Sequence, residues 1–337
     1  MLTQLSTELL QRQQVAVLGF DILFAEADDS DYMALQAQAQ TQANGVPGVD
    51  VSPLRDTASS DWALAQSLRQ QPAVLGYYFS STEEGGQTGL LPASLAITAS
   101  QRGVYEGLPA IESYSANLPV LVQAAPYGGF MNALIDSDGE LRRIPLIAQQ
   151  GKGAVAQYYP ALSLAMFTTL LGQPEIQLLD ARGQALQQAA NRPAYVGTPV
   201  HARLAALGVR QGDDVLSIPT DSHGAMLVPF RSQGGREGGH FRYISAADVL
   251  DGKLPAGSLQ GRAVIVGTSV PGLRDLRVTP VSNYFPGVEV HAVALAAMLD
   301  GAFIHAPDYG GAYATLVLLI TLLTLLLILP RRGAAGA

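Results

Sequence analysis

Five acidic side chains stand at the carboxyl end of the first apolar run of the chain. They are Asp21, Glu26, Asp28, Asp29 and Asp31. The run itself, VAVLGFDILF over 15–24, predicts a buried parallel strand, and open parallel sheets bind ligands beyond the carboxyl ends of their strands. Carboxylate oxygens suit Ca²⁺ or Mg²⁺, so a bound metal ion would be held by Asp21, Glu26 and Asp28. The alternative is that Asp21 satisfies nearby backbone groups while the other acids are solvated.

A second polar group surrounds a tight turn. Its members are Asn132, Asp136, Asp138, Arg142 and Arg143. The stretch 119–148 predicts two strands joined at Asp136–Gly139, because Asp-Gly favours a hairpin turn. Neighbouring residues of a strand point to opposite faces, so either Arg142 or Arg143 faces inward. We expect that arginine to pair with a carboxylate, such as Asp21, or with an anionic ligand.

A third group lies in the loop after the apolar run 263–267. It contains Ser269, Arg274 and Asp275, and the backbone amides of Thr268 and Ser269 could bind an anion. The loop has neither the Walker lysine nor the GxGxxG pattern, which argues against nucleotide binding.

His291 is the histidine that the pattern places nearest the core. It lies on a predicted helix beside Val288, Ala292 and Leu295. Either it is a core histidine that hydrogen-bonds to a carbonyl, or it senses pH or a ligand. The chain has no GxSxG motif, so a serine-hydrolase nucleophile elbow is excluded.

The elements that position these residues alternate between strands and helices. Strands are predicted over 15–24, 73–79, 214–218, 225–230 and 263–267, and helices over 61–71 (capped by Ser60), 160–171, 245–250 and 286–301. Strand–helix–strand order favours right-handed crossovers. The sequence therefore predicts an α/β fold: a mainly parallel sheet flanked by helices, with an inserted β-hairpin region and a C-terminal transmembrane helix.

Composition excludes several classes of function. The 337 residues carry a net charge of −8, which does not favour phosphate backbones, so we expect no nucleic-acid partner. The absence of cysteine excludes disulfides, thiolate catalysis and zinc–sulfur sites. No cofactor is expected.

The segment 312–329 is uncharged and rich in leucine. Eighteen residues reach about 27 Å as a helix, near the thickness of a bilayer core. Arg331 and Arg332 follow it, and the positive-inside rule puts them in the cytoplasm. We therefore expect an extracytoplasmic domain over 1–305, a linker over 306–311, a membrane helix over 312–329 and a cytoplasmic stub over 330–337. A tail-anchored cytoplasmic protein is the alternative.

Three segments together resemble the CHASE2 family. They are GFDILFAEADDSD (19–31), FMNALIDSDGELRRIPL (130–146) and VGTSVPGLRDLRVTPVSNYFPGVEVHAVALAAMLDG (266–301), with FRYISAADVLDG (241–252) between the last two. The resemblance covers residues 15–305. It implies an extracytoplasmic sensor in a bacterial inner-membrane receptor, preceded by a membrane helix and followed by a cytoplasmic output. That output is commonly a class III adenylate or guanylate cyclase or a kinase.

The sequence thus supports two function hypotheses. The leading one is a sensory binding module, not itself an enzyme, which we expect to act as a homodimer and to respond to a small molecule or a physical stimulus. Ligand contacts would come from Asp21, Glu26, Asp28, Arg142, Ser269, Arg274, Asp275 and His291. The rival is a membrane-tethered extracytoplasmic α/β metal-dependent hydrolase built on the acids at 21–31. We expect the native protein to extend beyond both ends of this sequence.

Overall fold

The computed structural model describes residues 1–28, 33, 59–97, 101, 107–151, 155–186, 204–212, 214–268, 276–305 and 310–328. The chain divides into one unit over Met1–Phe303 and another over Ile304–Ala337. Its helices are α1 (Leu2–Thr7), α2 (Ser60–Leu68), α3 (Pro119–Ala124), α4 (Leu162–Leu170), α5 (Gly235–Gly238), α6 (Ala246–Leu250), α7 (Gly287–Asp300) and α8 (Gly310–Ile328). A π-helical turn over Glu8–Arg12 follows α1, and a 3-10 turn covers Glu83–Gly85.

The strands follow the same order along the chain. They are β1 (Val17–Phe20), β2 (Ala73–Ser80), β3 (Gln87–Thr88), β4 (Ser113–Ser115), β5 (Gly128–Phe130), β6 (Arg143–Pro145), β7 (Ile147–Gln150), β8 (Gln157–Pro160), β9 (Ile176–Leu179), β10 (Ala206–Gln211), β11 (Asp214–Pro219), β12 (Ala225–Leu227), β13 (Ala263–Val266), β14 (Leu276–Thr279) and β15 (Ser282–Pro286).

The main sheet has a parallel centre. β1 lies between β13 and β2, and both pairings are parallel. β5 runs parallel to the first half of β2, whereas β4 pairs antiparallel with its second half and β3 extends the sheet beside β4. The predicted mixed α/β fold is therefore confirmed, with the first strand in the interior of the sheet.

Helices cover both faces of this sheet. Leu18 and Phe20 of β1 point into one apolar cluster, which also holds side chains of α1, α2, α3 and α6. Val17 and Val74 point into the other cluster, with side chains of α4 and α7. Because alternate residues of a strand face opposite sides of the sheet, each apolar strand contributes side chains to both apolar clusters.

Glycines in β5 and β1, which both pair with β2, let α4 lie close to the sheet. A Cβ atom on Gly129 of β5 would lie 2.5 Å from the Leu162 Cα, at the start of α4. On β1, a Cβ atom at Gly19 would lie 2.3 Å from the Met166 Sδ. A larger residue at Gly129 would meet the backbone of α4 and force the helix and the sheet apart, whereas at Gly19 the Met166 side chain would have to move.

The hairpin predicted over 119–148 is present only next to its turn, where Leu134 and Arg143 form an antiparallel bridge. Gly139 has a φ of +87°, and the Asp136 amide donates to the Glu140 carbonyl at 2.9 Å. The segments farther from the turn do not extend this hairpin, because 119–124 is helical, β5 joins the parallel sheet and β6 pairs with β12. Further antiparallel pairs join β7 to β8, β14 to β15, and β10 to both β9 and β11.

Three smaller predictions need correction. Ser59 rather than Ser60 caps α2, since its hydroxyl accepts from the Trp62 amide at 3.2 Å. Pro160 belongs to β8, and α4 begins at Leu162. The strand predicted as buried over 263–267 is β13, which is exposed at Ala263 and only half-buried over 264–266 because it lies at the edge of the sheet.

The unit over Ile304–Ala337 contains α8. Within the described part of the chain, no helix has the length and apolarity that a membrane crossing requires. The transmembrane helix predicted over 312–329 is therefore unsupported there, and its last residue, Leu329, lies outside the described residues.

Candidate functional site

The carboxyl end of β1 is the point where the strand order of the sheet reverses. From β1 the chain crosses to β2 and β5 on one side, whereas β13 lies on the other. Such reversal points open a crevice in which α/β proteins bind ligands. Asp21 follows β1 directly, and a Cβ atom on Gly267, just after β13, would lie 3.2 Å from the Asp21 Cβ. The structure therefore places Asp21 where the sequence predicted.

Polar side chains from five segments meet beside Asp21. They line a small cavity of about 10 Å³ together with apolar neighbours, and they are Asp21, Tyr78, Asn132, Arg277 and His291. A cavity of this size has room for about one water molecule. This group, which we name the closed cluster, joins two predicted site residues, Asp21 and His291, that are 270 positions apart in the sequence.

His291 is an uncharged histidine at neutral pH. Burial lowers its pKa to about 4; a hydrogen bond with the Met131 backbone acts in the opposite direction, and the positive charge of Arg277 lowers the pKa further. Its Nδ1 atom has no hydrogen-bond partner among the described residues. An uncharged imidazole with an open nitrogen can accept a hydrogen bond from a small polar molecule or donate one to it.

Asn132 holds the far wall of the closed cluster in place. Its Oδ1 atom accepts from the Phe79 amide at 3.0 Å, and its Nδ2 atom donates to the Phe79 carbonyl at 2.7 Å. This pair of bonds connects the loop after β5 to the end of β2, in the manner of one strand pairing with another. Asn132 therefore has a structural task that fully employs its amide.

The acidic residues after β1 do not converge on one point. Asp28 stands at the start of α2, where its amide donates to the Asp61 carboxylate at 2.7 Å and its carboxylate accepts from the Ser60 hydroxyl at 2.8 Å. Glu26 is exposed. Asp29 and Asp31 lie outside the described residues, and among those that are described no three His, Asp or Glu side chains gather as metal ligands do.

Arg142 is surrounded by carboxylates of its own turn. Its guanidinium lies 3.1 Å from Asp136, 2.8 Å from Asp138 and 2.6 Å from Glu140. Hydrogen bonding to Arg142 lowers the pKa of Asp138 to about 2, and the same contacts raise the pKa of Arg142. Arg143 pairs with Asp221 at 3.4 Å. Both arginines therefore pair with carboxylates, but the prediction that one of them faces inward is wrong, because both side chains are about a third exposed.

Three predicted ligand residues, Ser269, Arg274 and Asp275, lie outside the described residues. The sequence patterns did not point to Tyr78 or Glu289 as site residues. Glu289 is only 2% exposed, although it lies in the first turn of α7. The signal was available, because an acid between Val288 and Val290 on an apolar helix has to be buried with a partner.

Comparison with known families decides what kind of domain this is. A family model described as the CHASE2 domain matches residues 1–329. The chain belongs to the CHASE2 family. That family consists of extracytoplasmic sensory domains rather than catalytic ones. No curated protein and no solved structure matches the chain. The closed cluster is thus a feature of a CHASE2 sensory domain.

Proposed function

We propose that this chain is the extracytoplasmic input domain of a bacterial inner-membrane receptor. In this proposal the domain responds to a small molecule or a physical stimulus and regulates a cytoplasmic output, such as a nucleotide cyclase or a kinase. The observation that carries the proposal is the extent of the family match, since residues 1–329 include both the folded unit and the apolar segment after it.

Membrane attachment through 312–329 is supported by the sequence and by the chemistry of α8. Apolar side chains between Leu316 and Ile328 are 43–70% exposed around the whole helix. The hydroxyls of Thr321 and Thr324 donate to carbonyls one turn earlier, at 2.8 and 2.7 Å. Exposed apolar surface and internally satisfied polar groups suit a lipid environment. The positions of Arg331 and Arg332 support an extracytoplasmic N-terminal side.

The residues that connect stimulus to output would be those of α7. This helix carries His291 of the closed cluster and ends at Asp300, where Gly301 has a φ of +63°. Ten residues, 302–311, then separate Gly301 from the apolar segment. A shift of α7 therefore has a short path along the chain toward the membrane.

Reporter fusions test the proposed orientation. Alkaline phosphatase fused after Gly311, behind an added first membrane helix, should be active, and green fluorescent protein fused after Ala337 should fluoresce. Replacing Arg331 and Arg332 with glutamine is the matched control and should weaken both signals, since the charge bias would be gone. Inactive phosphatase at Gly311 together with a fluorescent fusion at Gly311 would refute the proposal.

A further inference from the structure

A large groove runs along β13, on the side of α7 away from the closed cluster. It encloses about 730 Å³, and its walls come from α1, α6 and α7. The side chains that line it are mostly apolar, among them Leu9, Leu259, Ile265 and Leu295. Pockets that bind small molecules have volumes of roughly 300–1,000 Å³ and apolar walls with a few polar groups. The groove therefore has the size and lining of a ligand site.

The floor of the groove is the open edge of the sheet. Among the described residues β13 pairs with β1 alone. The carbonyls of Arg262 and Val266 accept from Ala16 and Asp21, on the β1 side, at 2.9 and 2.8 Å. Because alternate residues of a strand direct their backbone groups to opposite neighbours, Ala263 and Ile265 present N–H and C=O groups to the groove. An edge of this kind can accept an added strand.

A buried carboxylate borders the groove near the end of this strand. Glu289 is 2% exposed, and its Oε2 atom accepts from the Gly235 amide at 2.6 Å and from the Tyr243 hydroxyl at 2.7 Å. Its Oε1 atom has no hydrogen-bond partner among the described residues. Leaving a buried carboxylate oxygen unpaired is costly, so this atom is poised to receive a donor. Gly239 lies next to Oε1, since a Cβ atom on Gly239 would lie 3.1 Å from Glu289 Oε1.

The charges at the two ends of β13 have opposite sign. Arg262, which is exposed, directly precedes the strand. Glu289 lies at the other end, because Val288, the residue before it, packs against Gly267, which follows the strand. A Cβ atom on Gly267 would lie 2.8 Å from the Val288 Cγ2. Five residue steps at about 3.3 Å give about 17 Å between these ends, the length of four or five extended residues.

We propose that this groove binds a short, extended apolar peptide with a free amino terminus. The peptide lies antiparallel to β13 and adds a strand through Ala263 and Ile265. Its ammonium group donates to Glu289 Oε1, and its carboxylate lies near Arg262. The inference deepens the proposed function by naming a class of stimulus, but binding to the chain can be measured without any output.

Calorimetric titration of the full chain in detergent tests this inference. The probe is a tetrapeptide of sequence Val-Ile-Ala-Val with free ends, together with its N-acetylated form. We expect the free peptide to bind and N-acetylation to weaken binding by at least about tenfold. Acetylation replaces the charged ammonium group that donates to the Glu289 carboxylate. Binding of both forms with equal affinity, or of neither form, would overturn the proposal.

Two variants assign the effect to Glu289. Glu289→Gln should weaken the binding of the free peptide by about tenfold and leave the affinity for the N-acetylated form nearly unchanged. Asp300→Asn is the matched control, since it removes an acid of the same groove that is 57% exposed and pairs with Arg231 at 3.7 Å. An equal loss in both variants would refute the role of Glu289. If Glu289→Gln fails to fold, the N-acetylated peptide makes the same comparison on the unaltered chain.

A second copy of the chain is the competing occupant of the open edge. Analytical ultracentrifugation with and without peptide separates the two. A dimer that excludes the peptide would overturn the inference while leaving the proposed receptor function intact. Conversely, the reporter fusions could contradict the proposed orientation while the peptide still binds. That result would refute the receptor function and leave the peptide inference intact.

Discussion

Glu289 and His291 lie two residues apart on α7, and both are buried, yet the spaces beside them differ widely. His291 borders a small cavity of about 10 Å³, whereas Glu289 borders a groove of about 730 Å³. Each has an atom without a hydrogen-bond partner among the described residues. The closed cluster can hold little more than a water molecule, so its polar groups serve mainly to fix α7 against the sheet. The groove has room for a ligand, and α7 is the wall that the two regions share.

The largest expected effect is on the closed cluster. Asn132→Ala removes both hydrogen bonds to Phe79 and leaves that residue's backbone groups without partners. We expect a loss of about 2–3 kcal/mol in the free energy of unfolding. Denaturant titration measures it, with His240→Ala, an exposed residue of the groove, as the control. Equal losses in the two variants would remove the contrast between the regions.

Acid should weaken the closed cluster through His291. Its folded pKa of about 4 lies below the ordinary histidine value of 6.5, so the unfolded chain takes up a proton more readily and stability falls as the pH falls from about 6.5 to 4. Between pH 7 and pH 5 the loss from this group should be about 2 kcal/mol. His291→Gln should flatten that part of the pH profile in chemical denaturation. A wild-type profile as flat as that of the variant would show that His291 is not buried as described.

A smaller effect is expected where Tyr243 supports Glu289. Burial and the hydrogen bond to Glu289 raise the pKa of Tyr243 well above its ordinary value, so its hydroxyl stays a donor at all ordinary pH values. Tyr243→Phe removes one of the two donors to Oε2 and should cost about 1–2 kcal/mol in the free energy of unfolding. Thermal or denaturant melts measure this. A gain in stability would show that Glu289 does not depend on this contact.

The smallest effect is expected at the turn around Arg142. Its three carboxylate partners and the guanidinium itself are partly exposed, and solvent and salt screen such pairs. Arg142→Ala should move the melting midpoint by less than about 2 °C, and added salt should abolish even that difference. A large loss would mean that this turn, rather than the two sides of α7, governs stability.

These regions were predictable from the sequence to different degrees. The apolar runs gave β1, β2, β13, α4 and α7 nearly in place, because continuous β-branched or helical patterns report burial directly. The position of Asp21 at the carboxyl end of β1 was also predicted from the sequence. The hairpin forms only next to its turn, because turn chemistry around Gly139 specifies a turn but not the partner of each longer flanking strand. The groove could not be predicted, since its floor is β13, which among the described residues pairs with β1 alone. Whether a strand lies at the edge or at the centre of a sheet depends on strand order rather than on composition.

The contrast between the two sides of α7 is tested most directly by thermal melts of the full chain with and without the tetrapeptide. A ligand at 100 times its dissociation constant adds about 2.7 kcal/mol to stability. The peptide should therefore raise the melting midpoint of the wild type and of His291→Gln, but at the same concentration it should raise that of Glu289→Gln far less. A rise that disappears in His291→Gln and persists in Glu289→Gln would contradict the account and would assign ligand binding to the closed cluster.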